Sequence, residues 1–521
     1  MYQVVSADTL KSLCAAVLLL VCGKFALFLY EGLQIRLRIR RLKAQGIPIL
    51  EPHSFISGHL PLLAETFRKY PPDAHQFYAQ IHVVQHWRDF FPHAQECPSV
   101  LYIDVWPAQE PIALVLDPAT CQDLVLERNQ PKHAQIKYLI EPVAGRRNLT
   151  WWCGALHRLW RSRLNPGFSQ RNLQSHVSAL VDEVEVFLDI LKAHAGKNGS
   201  WGAVFPLLPK TVDLTLDIIG RVVLDLRLDE QSKGPTELQT ALRTLVGQVQ
   251  FKNLATLRRR LSPFYQYDGW RCRRQLRKIL MPRIKEQIGA EQSATQKTVI
   301  QLAMKEYINE TRTGQARTSS SEFTDDVLGL VQQFLFAGHD TTAITITWAF
   351  QYLSKNPGVL QRLRAEHDEV FGPNTDAVAE TLRQSPQVLN SLPYTLAVVK
   401  ETLRLTPIAA TLRNGSPEFF LTTRKGMRLP TDGFAVVTGT ACIHYHPDLW
   451  PRVNEFLPDR WLVPQSDPLH PSQPGQWRPF EYGVMNCIGQ ELAMIELKMV
   501  LLFTVREVEI EASWDEWDKS Q

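Results

Sequence analysis

The sequence predicts a mainly α protein with a small β-rich lobe, one globular domain carried behind an N-terminal membrane anchor. Three observations carry this. Beyond about residue 116, apolar residues recur at helical spacing through most of the chain. One stretch alternates instead: Leu101, Ile103 and Val105, then Ile112, Leu114 and Leu116, the period of a half-buried hairpin. Finally, Leu13 to Tyr30 is apolar except at Gly23 and Lys24, and its length is close to the roughly 18-residue minimum for a bilayer-crossing helix.

Residues 1–30 therefore read as the anchor. A cleavable signal would need a small-residue cleavage site ahead of a polar start. Here Arg36, Arg38, Arg40, Arg41 and Lys43 follow instead. Basic residues flanking a span stay on the cytosolic side, which places the rest of the chain in the cytosol, on the endoplasmic reticulum membrane. The sequons at Asn148, Asn198, Asn309 and Asn414 then lie on the wrong side for glycosylation and read as chance matches. Residues 31–61 read as a basic, proline-rich linker punctuated by Gly46, Pro48, Pro52, Gly58 and Pro61. Residues 62–521 form the catalytic domain, with the polar stretch Thr311 to Ser321 as its clearest internal loop.

With 45% hydrophobic and 21% charged residues the chain is globular, and a formal charge of +4 is too small to imply nucleic acid as a partner. Eight cysteines show no C-x-x-C pair, so neither a zinc site nor a disulfide framework is indicated. Leu254 to Leu280 interleaves Arg258, Arg259, Arg260, Arg271, Arg273, Arg274, Arg277 and Lys278 with Phe264, Tyr265, Tyr267 and Trp270. A solvated helix face or contact with anionic lipid explains it better than single-stranded nucleic acid does.

Chemistry concentrates in four places. Cys487 sits in Phe480-Glu-Tyr-Gly483-Val-Met485-Asn-Cys487-Ile-Gly489, directly ahead of a helical stretch from Gln490 to Phe503. Free N–H groups at a helix start favour a thiolate, the form that binds metal, although a lone cysteine can equally be a small buried hydrophobe. Phe334-Leu-Phe-Ala337-Gly338-His339-Asp340-Thr341-Thr342 lies inside a helical pattern from about Asp325 to Ser354. Mid-helix glycine costs about 1 kcal/mol against alanine and wants a reason, such as close approach of a flat ligand. The adjoining carboxylate and hydroxyl can relay protons, or the threonines can simply bond back onto their own helix. Glu401-Thr-Leu-Arg404 places opposite charges on one helix face, with Phe456-Leu-Pro458-Asp-Arg460-Trp461 downstream. The fourth is Gly154-Ala-Leu-His157-Arg158-Leu-Trp160-Arg161.

Together, over roughly residues 45–505 and in the family's order along the chain, from Gly154 through Phe334, Glu401 and Phe456 to Phe480, these segments resemble the cytochrome P-450 family. The resemblance implies the P-450 fold and haem b, with Cys487 as iron ligand, Phe480 shielding the sulfur and Gly489 letting backbone lie close to the macrocycle. Asp340 and Thr341 would organise proton delivery to iron-bound dioxygen. Glu401, Arg404 and Arg460 would form the family's structural Glu-Arg-Arg triad. His157, standing where the family has tryptophan, together with Arg161 and Arg413, would meet the haem propionates. One position departs from the pattern: Met485 replaces an arginine or histidine that pairs with a propionate.

The implied activity is that of a haem-thiolate monooxygenase acting on an apolar small molecule by hydroxylation, epoxidation or desaturation. No Gly-rich dinucleotide fingerprint appears, so electrons would come from a separate NADPH-cytochrome P-450 reductase, with cytochrome b5 as an optional second donor and membrane lipid as a further partner. Details such as His444-Tyr-His446-Pro447 look most like membrane-bound fungal members serving secondary metabolism, of polyketide or terpenoid type. After Glu511 the family continues into a final β-hairpin, which is expected to be shortened here. With Met485, that motivates the alternative of a degenerate haem-binding paralogue without efficient turnover.

Overall fold

The computed structural model describes residues 7–71, 74–127, 130–249, 261–289, 297–313 and 320–514. Arg258, Arg259 and Arg260 of the basic–aromatic segment, and the last seven residues, lie outside these. The chain forms two compact units, one of residues 1–121 with 414–442 and the other of 122–413 with 443–521.

The first unit begins with α1 (Ala7–Ala44), a single helix that is long and apolar enough to cross a membrane. Its leucines and phenylalanines between residues 13 and 30 are exposed, as befits a helix that meets lipid rather than a core. The helix does not stop at Tyr30. Gly32, Arg36, Ile39 and Leu42 recur at helical spacing and are buried, so α1 runs through much of the segment expected to be a linker. Further on, Pro48 to Leu50 adds an edge to a small sheet, with the Leu50 N–H donating to Tyr102 O at 3.2 Å and the Tyr102 N–H to Pro48 O at 3.1 Å.

β1 (Val100–Ile103) and β2 (Ile112–Val115) form the expected antiparallel hairpin, with Val100 opposite Val115 and Ile103 opposite Ile112. β3 (Leu412–Asn414) ends where the chain passes into this unit. β4 (Phe420–Thr422) and β5 (Arg428–Pro430) make a second hairpin, and β6 (Ala435–Thr438) pairs in parallel with β2.

The second unit is helical. α2 (Ala134–Ala144), α3 (Gly154–Leu164), α4 (Gln170–His194), α5 (Leu207–Leu224), α6 (Glu237–Val246), α7 (Pro263–Gly289) and α8 (Val299–Arg312) precede the central α9 (Ser320–Lys355). α10 (Pro357–Phe371), α11 (Pro393–Leu405) and α12 (Gln490–Thr504) follow. Caps fix several starts. Ser169 and Thr236 accept N–H groups of α4 and α6, and Thr298 with Gln301 makes a reciprocal capping box on α8.

α9 threads the core against α5 at very close range. The Thr215 hydroxyl donates to His339 O at 2.8 Å and the Thr211 hydroxyl to Ala343 O at 3.2 Å. A Cβ on Gly338 would stand 2.7 Å from Cγ1 of Ile219. The mid-helix glycine is thus accounted for by helix–helix packing, where the sequence suggested approach of a flat ligand.

Candidate active site

The cysteine loop is held by its own backbone first. Gly483 has φ +86°, and a Cβ there would meet Val125 O at 2.7 Å, so this turn requires glycine. The Cys487 N–H donates to Phe480 O at 2.9 Å and the Asn486 N–H to Gly483 O at 3.1 Å. The Phe480 ring lies edge-on to Trp477 at 6.2 Å, so the directly legible service of Phe480 to the cysteine is its carbonyl. Cys487 keeps an accessible side chain, yet surrounding protein pushes its thiol up from the ordinary value, against the opposing pull of the Gly489 N–H and the Arg161 guanidinium. Desolvation by the protein packed around the sulfur outweighs the helix start here, although one side of the thiol stays accessible, so a bound cation is what would hold the sulfur as thiolate.

A fully buried frame stands behind that loop. The Glu401 carboxylate accepts from Arg404 at 2.8 and 3.1 Å, from Arg460 Nε at 3.1 Å, from the Leu457 N–H at 3.1 Å and from the Trp461 indole at 3.1 Å. Arg404 also donates to the carbonyls of His444, Val453 and Glu455. Charges this deeply buried are tolerable only when most of their polar atoms find partners in this way, and only one terminal nitrogen of Arg460 goes without. From Trp461 the rings pass to Trp477 at 5.7 Å and on to Phe480. A second route runs through His444: Nδ1 donates to Arg404 O at 3.1 Å, and Nε2 accepts the Arg478 N–H at 3.0 Å. Burial lowers the His444 pKa to about 3, which keeps the ring neutral as that bonding requires.

Arg161, His157 and Arg413 come together with a residue that sequence reasoning missed, Lys132. Arg161 donates to Asn486 O at 2.7 Å, to Asn486 Oδ1 at 2.8 Å and to Asn165 Oδ1 at 2.8 Å. Two of its five N–H groups thus grip the residue before the cysteine and a third goes to Asn165, leaving two for another acceptor. Buried Arg413 donates to Gln130 O at 3.2 Å and to the Met485 sulfur at 2.9 Å, while its Nε has no partner. Lys132 Nζ donates to Leu149 O at 2.8 Å and Trp152 O at 3.0 Å. Its pKa falls to about 7 through burial, with Arg413 and Arg161 adding repulsion. Burial, then Lys132, Arg161 and Arg413, lower that of His157 to about 4. Among the described side chains, no carboxylate forms an ion pair with Lys132, Arg161 or Arg413. A lone lysine after Pro131 carries no motif, so nothing in the local pattern points to it.

On α9, Ala337 and Thr341 are exposed one turn apart in a helix whose neighbouring residues are mostly buried, so an open space faces them. The Thr341 hydroxyl bonds back to Ala337 O at 2.8 Å. The Asp340 carboxylate pairs with Arg243 of α6 at 3.3 Å, a partner with no signature in the sequence. Gln333 ties the same helix to the loop between α2 and α3, accepting from the Leu149 N–H at 2.8 Å and donating to the Thr150 hydroxyl at 2.6 Å.

These features fit haem. Cations that no carboxylate pairs with directly suit two propionates. Beside Gly489, a Cβ would meet nothing but the Cys487 sulfur, at 4.0 Å, which leaves room for a flat ring over the thiol.

Comparison with known proteins agrees. The family model described as Cytochrome P450 matches residues 74–520. The chain is 37% identical over 520 residues to the cytochrome P450 monooxygenase polC of Polytolypa hystricis, covering 98% of this chain and 90% of that relative. It is 29% identical over 460 residues to the cytochrome P450 monooxygenase acrF of Aspergillus aculeatus, covering 82% and 90%. The crystal structure of the cytochrome P450DA heme domain superposes with a TM-score of 0.68 at 20% identity, over 88% of this chain and 90% of that one, a likeness of fold.

Proposed function

The chain belongs to the cytochrome P450 family and is a haem-thiolate monooxygenase, and from that premise we propose that it oxidises an apolar small molecule in a fungal secondary-metabolite pathway of polyketide or terpenoid type. The reaction is hydroxylation, epoxidation or desaturation. Electrons come from NADPH through cytochrome P-450 reductase, with cytochrome b5 as a second donor. α1 anchors the chain in the endoplasmic reticulum membrane with the catalytic domain in the cytosol. Fungal relatives and the long apolar helix support this reading.

The observation that carries the chemistry is the cysteine loop held from behind by Glu401, Arg404 and Arg460 and from the side by Arg161. When bound, haem supplies dioxygen activation at an iron whose thiolate ligand donates electron density. The chain's own residues do the rest. The frame fixes where the Cys487 sulfur stands. Lys132, Arg161 and Arg413 offer N–H donors to the two propionates, and neutral His157 adds one more. Asp340 and Thr341 hold and pass protons beside the open space at Ala337. Thr341 does so by turning its O–H from Ala337 O towards a water.

A second reading, a haem-binding paralogue without efficient turnover, is favoured by Met485 occupying Arg413. The reduced protein's carbon monoxide difference spectrum decides the thiolate–haem arm, since a thiolate-type Soret band is required. Product formation with reductase and NADPH against a panel of apolar metabolites separates a working enzyme from the paralogue. Gene deletion with metabolite profiling would name the substrate through the compound that accumulates.

A further inference from the structure

Phe28, Gly32, Arg36 and Arg40 are spaced by four along α1 and so form one stripe about 18 Å long. Each of them is occupied. The Phe28 ring lies 4.4 Å from the Trp106 ring. Gly32 sits beneath the same indole, and a Cβ there would stand 2.5 Å from it. Arg36, 2% exposed, is ion-paired with buried Asp104 and donates to Trp106 O at 2.9 Å and to Ile56 O at 3.3 Å. Arg40 stacks on the Phe55 ring at 3.9 Å.

The parts gripped by this stripe are themselves braced. Asp104 also accepts from His53 Nε2 at 3.0 Å, and its N–H donates to His59 Nδ1 at 2.7 Å. The turn carrying Phe55 and Ile56 is closed by Ser54 and Gly58, whose N–H groups each donate to the other's carbonyl at 3.0 and 2.9 Å. Gly58 has no room for a side chain against Asp104 O and Arg36. Phe28 belongs to the apolar stretch, whereas Arg36 lies about 9 Å beyond Tyr30 along the helix. The gripped turns therefore sit at the end of the span. Ile56 is 88% exposed there, next to Phe55 and the Arg40 that stacks on it, and Arg41 is exposed on the same helix end, whereas the exposed Arg38 and Lys43 pair with Asp432 at 3.2 Å and Glu51 at 3.0 Å.

We propose that the Phe28–Gly32–Arg36–Arg40 stripe clamps the β-rich unit onto the end of the anchor, and so seats Trp106, Phe55 and Ile56 in the headgroup layer of an anionic phospholipid bilayer. An aromatic at that level, an apolar tip and surrounding cations are the chemistry a lipid surface takes. The inference rests on α1 being a membrane anchor. It replaces a tether with a fixed joint.

The test uses the full chain in vesicles of phosphatidylcholine and phosphatidylserine, with a photo-crosslinking amino acid at position 56. Lipid adducts are read by mass spectrometry and membrane association by flotation. The chain is expected to float and to form lipid adducts at 56. Gly32→Leu should cut adduct yield severalfold with flotation unchanged. Phe28→Ala, which leaves the span apolar and cannot disturb folding by overpacking, should cut it in the same direction. A chain that floats without adducts at 56, or variants with undiminished yield, would overturn the clamp alone. A chain that does not float would overturn the anchor reading and the clamp together.

Discussion

The guanidinium of Arg413 lies 2.9 Å from the sulfur of Met485. A thioether is a weak acceptor, so it occupies the cation without neutralising it. Met485→Arg is expected to add a donor for the propionates and to slow haem loss by about tenfold, as one charge-assisted hydrogen bond allows. Lys132→Met should speed it. Haem transfer to apomyoglobin measures both. A faster loss from Met485→Arg would mean that repulsion between the two arginines prevails.

Arg243 and Asp340 make a separable pair. Asp340→Asn is expected to lower kcat by about 100-fold, the range for a lost proton-transfer group, while leaving the carbon monoxide spectrum intact. Arg243→Ala, which frees the carboxylate rather than removing it, should have a smaller effect. Equal losses in both variants would show that the ion pair, rather than the acid, matters.

Removing the Glu401 carboxylate leaves Arg404 and Arg460 buried without their countercharge, a loss of about 3–5 kcal/mol. Glu401→Ala should accumulate without haem. Recovery of a full Soret band from this variant would contradict the frame.

Stability should fall with acid. Burial lowers the folded pKa of His444 and His367 to about 3, and that of His157 and His59 to about 4. The unfolded chain titrates near 6.5, so between those values it binds protons the folded chain refuses. The contribution is complete above about pH 6.5 and is lost progressively towards pH 3, at up to about 1.4 kcal/mol per pH unit for each histidine. Asp217, raised to about 6 chiefly by burial, works the other way: its contribution is full below about pH 4 and is lost as pH rises through 6. Denaturant midpoints from pH 4 to 7 should therefore rise with pH, and less steeply in His444→Asn.

Gly338→Ala discriminates two explanations of one glycine. On an exposed helix, alanine would stabilise by about 1 kcal/mol. Against Ile219 it should instead cost about 1–3 kcal/mol by overpacking, a cost that should disappear when the same change is made in an Ile219→Ala background, itself less stable by about 2–5 kcal/mol. Thermal unfolding of the single and double variants reads this directly.

That glycine marks where sequence reasoning stops. The cysteine loop and its Glu401–Arg404–Arg460 frame were legible because each needs particular side chains at fixed spacing, and the β1–β2 hairpin because alternation survives in a short strand. Gly338 signals only that something comes close, and whether that is a ligand or Ile219 is set by a helix more than 100 residues earlier. Lys132, Arg243 and His444 owe their roles to long-range neighbours. The linker misled because Pro48 and Pro52 drew attention from the buried Ile39 and Leu42, which keep α1 helical to Ala44.

The Arg36–Asp104 pair also bears on how the chain can be shortened for study. A cut near residue 30 removes the apolar span and spares the countercharge. A cut just ahead of Ile47 takes Arg36 away with it, leaving Asp104 beside His53 without a permanent cation. Two truncations that look equivalent as ways of making a soluble enzyme should therefore differ in the integrity of the β-rich unit, and the chain cut near residue 30, which keeps Arg36, is the faithful surrogate.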